Sequence, residues 1–247
     1  VAAESVAAAA AGARLLLLTV ADDAITEVAG KLAASGVLKG VKVLAHCSGA
    51  LPGEALAVAR DAAGCAVGSA HPLQTFPSVD GALARLPGAF WVYEGDAPAW
   101  TPLLELGIDM GLRPLRIASA DKTGYHAMAV MASNYLVALM DAALTLGGRV
   151  GMDRGIAWEA LKPLVQATLA NIDELGTASA LTGPIQRGDE QTVRRHLAWL
   201  AAEPALESLY RRLGVRTAAL ALEAGGVDED AAKRLLELLA EPGPARR

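Results

Sequence analysis

One change of hydrophobic pattern constrains this chain more than any other feature. Up to Ala118, short apolar runs of strand type alternate with helical patterns; beyond Asp121 the apolar residues recur at three and four and no alternating run remains. The first half reads as strands over Arg14–Val20, Val41–His46, Cys65–Ala70, Ala89–Tyr93 and Pro114–Ala118, with helices near Asp23–Ala34, Gly53–Ala63 and Pro98–Met110. Such alternation predicts a parallel sheet with crossover helices. The expectation is therefore an α/β domain over residues 1–118 followed by an all-α domain over residues 119–247.

The helical half opens with Asp121 as N-cap and one helix running to a stop at Gly147-Gly148. At about 1.5 Å per residue it is roughly 40 Å long, more than a small domain needs for itself. Its far end is expected to pack against another body, such as a second subunit. Further helices fall near Gly155–Leu175, Asp189–Ala201, Ala205–Ala224 and Asp228–Leu239, and the tail "EPGPARR" reads as frayed.

Composition excludes several classes. Lys+Arg number 22 against 27 Asp+Glu, a net charge of -5, and no basic cluster is interleaved with aromatics, so no nucleic-acid partner is expected. The leucine block "RLLLLTV" is far shorter than the roughly 20 residues of a membrane span, and the opening segment lacks a basic signal-peptide region; no membrane partner is expected. Cys47 and Cys65 form no CxxC pair, which fits a cytoplasmic protein, and the four histidines show no metal-ligand spacing, so no metal is expected.

A dinucleotide-binding fold normally opens with a strand, G-x-G-x-x-G and a helix, and this chain has no such motif. Several phrases nevertheless go together: "LLLLTVADDAI", "HCSGAL", "GSAHPLQTF", "KTGYHAMAVMASNYLVAL", "NIDELGTASALTGPIQRGD" and "TVRRHLAWL". From about Arg14 to Glu223 the chain resembles the candidate oxidoreductases that join an N-terminal Rossmann-like domain to a C-terminal helical domain of unknown function. That family is similar in architecture to 6-phosphogluconate dehydrogenase, 3-hydroxyisobutyrate dehydrogenase and pyrroline-carboxylate reductase. The resemblance implies NADP or NAD between the domains, a small-molecule substrate in the same cleft, and a homodimer formed through the helical domain. It also aligns "LLLLTVADDAI" with a later strand of the sheet, so the chain reads as truncated before its glycine-rich turn, and binding of the cofactor by this chain is then in question.

The candidate residues fall in five places. Lys122, His126, Ser133 and Asn134 share one predicted helix, with His126 roughly 40° and Asn134 roughly 120° from Lys122 at about 100° per residue. Hydride exchange at a carbinol carbon requires a proton to move on its oxygen, work suited to a lysine of lowered pKa or a histidine. In the 6-phosphogluconate and 3-hydroxyisobutyrate enzymes a lysine and an asparagine one turn apart flank that carbon; here Lys122 carries over as the acid/base, His126 stands one turn on, and the nearest asparagine is Asn134. The catalytic candidates are thus Lys122, His126 and Asn134; the bland alternative is a solvated lysine and a bonded interface histidine.

Val20, Ala21 and Asp22 follow the first strand, and Cys47, Ser48 and Gly49 the second, where open α/β sheets place ligand loops. By resemblance these six residues line the cofactor, contributing backbone in the first loop. Otherwise, Asp22 and Asp23 cap the next helix, Ser48 caps the one after, and Gly49 permits a tight turn. His71, after the third strand, faces the cleft as a substrate donor or merely ends the strand. In "ALTGPIQRGD", Gly183-Pro184 fixes a turn and Asp189 caps a helix; Thr182 and Arg187 remain, with Ser133, as substrate contacts, Arg187 through its planar fork of donors.

Three functions compete. An NAD(P)-dependent oxidoreductase for a small acidic or carbonyl substrate comes first. A non-catalytic ligand-binding or regulatory dimer on the same scaffold comes second, and a hydrolase using Cys47 or Ser48, without a G-x-S-x-G setting, comes third.

Overall fold

The computed structural model describes residues 5–76 and 78–240. The tail "EPGPARR" lies outside them. The chain divides into two compact units after Ala138. The sequence reading sets that boundary after Ala118; the later position follows from Lys122 and Tyr125, which are buried in the first unit.

The first unit runs α1 (Val6–Ala10), β1 (Leu15–Leu18), α2 (Asp22–Ser35), β2 (Val43–His46), a 3-10 turn (Gly53–Leu56), α3 (Ala57–Ala63), β3 (Ala66–Leu73), α4 (Val79–Arg85), β4 (Phe90–Gly95), α5 (Ala97–Asp109), β5 (Arg113–Arg116), a second 3-10 turn (Ser119–Asp121) and α6 (Lys122–Ala132). Its five strands lie in chain order. β1, β2 and β3 are mutually parallel, β4 is antiparallel to β3, and β5 is parallel to β4. The α/β-then-all-α class and the mainly parallel sheet stand as expected; the reversal at β4 and the helix α4 are additions.

Both faces of the sheet are covered, which is why its strands read as apolar runs without alternation. On one face Leu18, Leu44 and Val67 meet Ile25, Ala29 and Leu32 of α2. On the other, Val43, Ala45, Trp91 and Tyr93 meet Ala99 and Leu103 of α5. The α2 residues recur at four and three, one helical stripe, and each large side chain so buried contributes about 1.5–3 kcal/mol.

The remaining helices are α7 (Asn134–Arg149), α8 (Arg154–Ser179), α9 (Glu190–Leu200), α10 (Pro204–Glu223) and α11 (Glu229–Leu239). Where one long helix is expected from Asp121, there are two. The backbone departs from helical angles at Ser133 (φ -115, ψ -70), yet the ladder is kept by Ser133 N–H to Ala129 O and Val137 N–H to Ser133 O. The result is a local break. Asp121 makes no side-chain cap. Nor does Gly147-Gly148 stop α7; the left-handed Gly151 (φ 86) does so just beyond. In the second unit α9, α10 and α11 enclose Ile185, Val193, Leu197, Ala218 and Leu235. Asp189 caps α9 through Thr192 N–H at 3.0 Å, as the sequence predicts.

The stretch Ser119–Arg149 spans 31 residues and contains an 18-residue window of mean hydropathy 1.5, enough by length and composition to cross a membrane. Its first third, however, is fastened to the sheet by the buried Lys122 and Tyr125.

Candidate active site

At one level of the sheet the apolar face turns polar. Leu16, Leu44 and Val67 are in register; the next same-face level is Leu18, His46, Ser69 and Glu94 across β1 to β4. His46 and Ser69 are 0% exposed and Glu94 and Lys122 1%. Buried polar groups of this kind must be paired or they oppose folding. Here they are paired. Lys122, first residue of α6, donates from Nζ to Ser69 Oγ at 2.5 Å. Glu94 Oε1 accepts the Gly53 N–H at 2.7 Å and Oε2 accepts the Ser119 hydroxyl at 2.5 Å. Only glycine fits at 53, since a Cβ there would lie 2.7 Å from Gly68 Cα.

His46 shows its tautomer through its neighbours. Nδ1 accepts the Ser48 N–H at 3.1 Å, so Nε2 bears the proton and donates to Pro52 O at 3.1 Å. Both nitrogens are committed. Burial first, and Lys122 next among the depressing causes, hold its pKa below the usual histidine value. Lys122 itself is pushed down to about 8, because burial outweighs the support of Glu94, Asp22 and Cys47.

The loop after β2 is tied to the start of α2. Ser48 Oγ donates to Asp22 Oδ2 at 2.8 Å and accepts the Ala50 and Leu51 N–H groups at 3.1 and 2.9 Å. This corrects two readings. Ser48 closes a turn and caps no helix, and the N-cap of α2 is Ala21, which offers no side-chain cap, Asp22 being turned to Ser48. Val20 and Ala21 are exposed in the preceding loop. The arrangement also gives the hydrolase reading no support. Burial pushes the Cys47 thiol up to about 11, far from a thiolate, and the Ser48 hydroxyl is spent on a carboxylate and two amides.

Beyond Ser69, β3 has no partner on the β2 side, and this open edge accommodates Pro72, which has no N–H to offer. His71 therefore lies inside β3, not after it. Its Nδ1 meets the Tyr125 hydroxyl at 2.6 Å, with the rings edge to face at 5.8 Å. Burial, then Lys122 and His126, push His71 down to about 4, against the opposing pull of Asp22. Burial also pushes the Tyr125 phenol up to about 12. Across the loop lies Gly49, bare on this side: a Cβ would stand 3.0 Å from both His71 Nε2 and His126 Nδ1. His126 Nδ1 is buried and, among the described residues, has no hydrogen-bond partner.

A groove of about 330 Å³ opens from these imidazoles, walled by Leu73 and Met128 and ending at Ser133 and Asn134. Four sequence candidates thus meet in one place: His71, His126, Ser133 and Asn134. Lys122 lies behind them, sealed against Ser69. Thr182 and Arg187 belong to the second unit, where both are exposed in the loop before α9. Missed by the sequence reading were Ser69, Glu94 and Tyr125, together with Gln74 and Thr75 of the groove wall. The available signal was Glu94 itself, an acid inside the apolar run "FWVYEG". Among the described residues, no three His, Cys, Asp or Glu side chains gather to hold a metal ion.

An α/β unit with a mainly parallel sheet, followed by an all-helical unit, is a Rossmann-like build. The family described as Domain of unknown function (DUF2520) matches residues 89–217, more than half the chain, and the chain belongs to it. The fold is similar to that of protein TM1727 from Thermotoga maritima, at 25% identity and a TM-score of 0.60, covering 90% of this chain and 77% of that one. It is similar also to BF3122 from Bacteroides fragilis, described as a candidate NADP oxidoreductase, at 22% identity and a TM-score of 0.63 over 84% of this chain and 75% of that one. Plasmodium falciparum pyrroline carboxylate reductase, solved with NADP bound, shares 11% identity and a TM-score of 0.52 over 92% and 79% of the two chains. No curated protein matches the sequence.

Proposed function

We propose that this protein is an NAD(P)-dependent oxidoreductase whose groove beside His71 and His126 takes a small substrate with a carbonyl or hydroxyl group. The observation that carries the reading is the convergence of two imidazoles on a bare glycine at the strand ends, where open α/β sheets place ligands. The loop after β1 fits the nicotinamide half of the cofactor, offering exposed residues at Val20 and Ala21. It does not fit the pyrophosphate, because Asp22 and Asp23 occupy the first turn of α2 and repel phosphate there. When bound, the nicotinamide supplies or accepts the hydride.

The chain's own residues handle the proton and the orientation. His126, which lines the groove, exchanges the proton on the substrate oxygen. Lys122 acts from behind: its charge helps keep His71 neutral, while its bond to Ser69 fixes the start of α6. Ser133 and Asn134 orient the far end of the substrate, and Thr182 and Arg187 are retained as contacts for an anionic group. A rise in melting temperature with NADPH or NADH supports the reading; at 100 times Kd it corresponds to about 2.7 kcal/mol. No rise with either couple overturns it.

The second reading, a non-catalytic ligand-binding dimer, draws on the two aspartates at α2 and on the sealed Lys122. Turnover of a hydroxy acid or oxo acid with NADP would exclude it. Under either reading the partner is a second copy of this chain. Val137, Ile156, Leu164 and Leu169 on α7 and α8 are 51% to 69% exposed, a run of apolar side chains that a lone molecule would leave in water. Replacing Leu164 and Leu169 by Glu is expected to turn a dimer into a monomer in light scattering; an unchanged mass rejects this interface. The free Cys47 and Cys65 fit a cytoplasmic setting, and the anchoring of α6 on the sheet argues against a membrane role for Ser119–Arg149.

A further inference from the structure

We infer that Tyr125 is a positioning residue of this site: its hydroxyl donates to Nδ1 of His71 and so fixes the imidazole proton on Nε2, which makes His71 a hydrogen-bond donor. The inference rests on the reading of the groove as the substrate site. It adds the part His71 plays there, a neutral donor to a carbonyl or hydroxyl oxygen, with proton exchange left to His126.

The fold sets the pair in place. Ser69 and His71 stand two apart on β3 and share a face of the strand; Lys122 and Tyr125 stand three apart on α6 and share a face of the helix. Helix and strand are therefore joined by two successive bonds, Lys122 Nζ to Ser69 Oγ and Tyr125 to His71. The first is sealed. At the second, the half-buried His71 lines the groove.

Three observations give the direction of the second bond. The Tyr125 oxygen and His71 Nδ1 are 2.6 Å apart, a distance suited to a hydroxyl donor, at about 2.5–3.0 Å, and short for an N–H donor, at about 2.7–3.2 Å. Tyr125 is only 9% exposed, and a buried phenol needs an acceptor; His71 Nδ1 is the one the described residues give it. Burial keeps the proton on the phenol, pushed up to about 12, while burial, Lys122 and His126 hold His71 down at about 4 against the pull of Asp22. Near neutral pH the pair thus carries one proton on oxygen and one on the ring. With Nδ1 accepting, the ring proton sits on Nε2.

That nitrogen is available. It makes no hydrogen bond among the described residues, and it is not sealed from solvent as His126 Nδ1 is. The described lining of the groove has no Asp or Glu to draw a second proton onto the ring. A neutral imidazole of fixed tautomer polarises a carbonyl without giving up its own proton, and it needs no reorientation as charge develops on the oxygen.

The test is nitrogen-15 NMR of the histidine side chains in the free protein at pH 7, with His71 assigned through His71→Gln. The wild type is expected to show one His71 tautomer, protonated on Nε2 and bare on Nδ1. Tyr125→Phe keeps the ring and its edge-to-face contact but removes the hydroxyl; the Nδ1 signal should then lose the shift of a hydrogen-bonded nitrogen, and the two ring signals should draw together as the second tautomer is populated. Incorporating 3-fluorotyrosine, a more acidic phenol, should move Nδ1 the opposite way, a response that packing alone does not produce and that needs no folded Phe variant. A wild-type ring protonated on Nδ1, or on both nitrogens, overturns the inference, as do His71 shifts unmoved by both changes to the phenol. None of these readings uses the cofactor, so the inference fails separately from the oxidoreductase reading, which the NADPH melting shift tests.

Discussion

The two units of this chain break the usual separation of polar and apolar groups in opposite directions. The α/β unit buries His46, Ser69, Glu94 and Lys122 on one sheet face, each with a hydrogen-bond partner. The helical unit has exposed ion pairs, such as Arg154 with Asp141 and Arg194 with Glu190, and leaves Ile156, Leu164 and Leu169 in water. Buried polarity costs stability and is tolerated where it arranges chemistry; exposed apolar surface is tolerated where another surface covers it. The first unit holds the candidate site, and the exposed apolar side chains of the second belong to the proposed interface.

The largest effect that can break this comparison is expected at Glu94. Glu94→Ala removes the acceptor of the buried Gly53 N–H and of Ser119, and leaves Lys122 without its main compensating charge. The expected loss is about 3–5 kcal/mol in urea unfolding. Arg154→Ala, which breaks an exposed pair in the helical unit, should cost no more than about 1 kcal/mol. Equal losses at the two positions would abolish the distinction between the units.

Acid and base sharpen the same contrast. Lys122 titrates at about 8 in the folded protein against an ordinary 10.5, so between those values the unfolded chain binds the extra proton. Stability should then rise as pH increases from about 8 to 10.5, and Lys122→Met should remove that rise. His71 is depressed from 6.5 to about 4, with the same sign: its contribution should be lost as pH falls from 6.5 towards 4, and His46, also depressed, adds to the loss. Thermal melts across pH with Lys122→Met and His71→Phe check both windows. A Lys122→Met profile parallel to the wild type above pH 8 would show that the lysine is not buried with its charge.

The sequence disclosed elements better than it disclosed levels. Apolar runs such as Val43–Ala45 identify a strand because both faces are covered, and the stripe of Ile25, Ala29 and Leu32 identifies a helix. Neither pattern carries strand direction, so the reversal at β4 was hidden. Register was hidden too, and register is what brings positions 46, 69 and 94 to one level. His71 looked like a strand end because a proline follows; the strand continues because β3 has lost its β2 neighbour there. Lys122, His126 and Asn134 share a helical pattern, yet the break at Ser133 and the depth of the sheet part them: Lys122 faces Ser69, while His126 and Asn134 line the groove.

The smallest expected effect on stability belongs to Arg187, and it tests whether the helical unit adds to the site as well as to the interface. The turn around it is structural: Gly183 takes a positive φ of 104, Arg187 N–H bonds back to Gly183 O, and Asp189 caps α9. None of these bonds uses the exposed guanidinium. Arg187→Lys keeps the charge and removes the planar fork, so stability should stay within about 0.5 kcal/mol of the wild type. If Arg187 holds an anionic group of the cofactor, the same change should weaken the NADPH response several-fold. A large fall in melting temperature would instead make Arg187 part of the turn, and unchanged binding with unchanged stability would leave the chemistry wholly to the α/β unit.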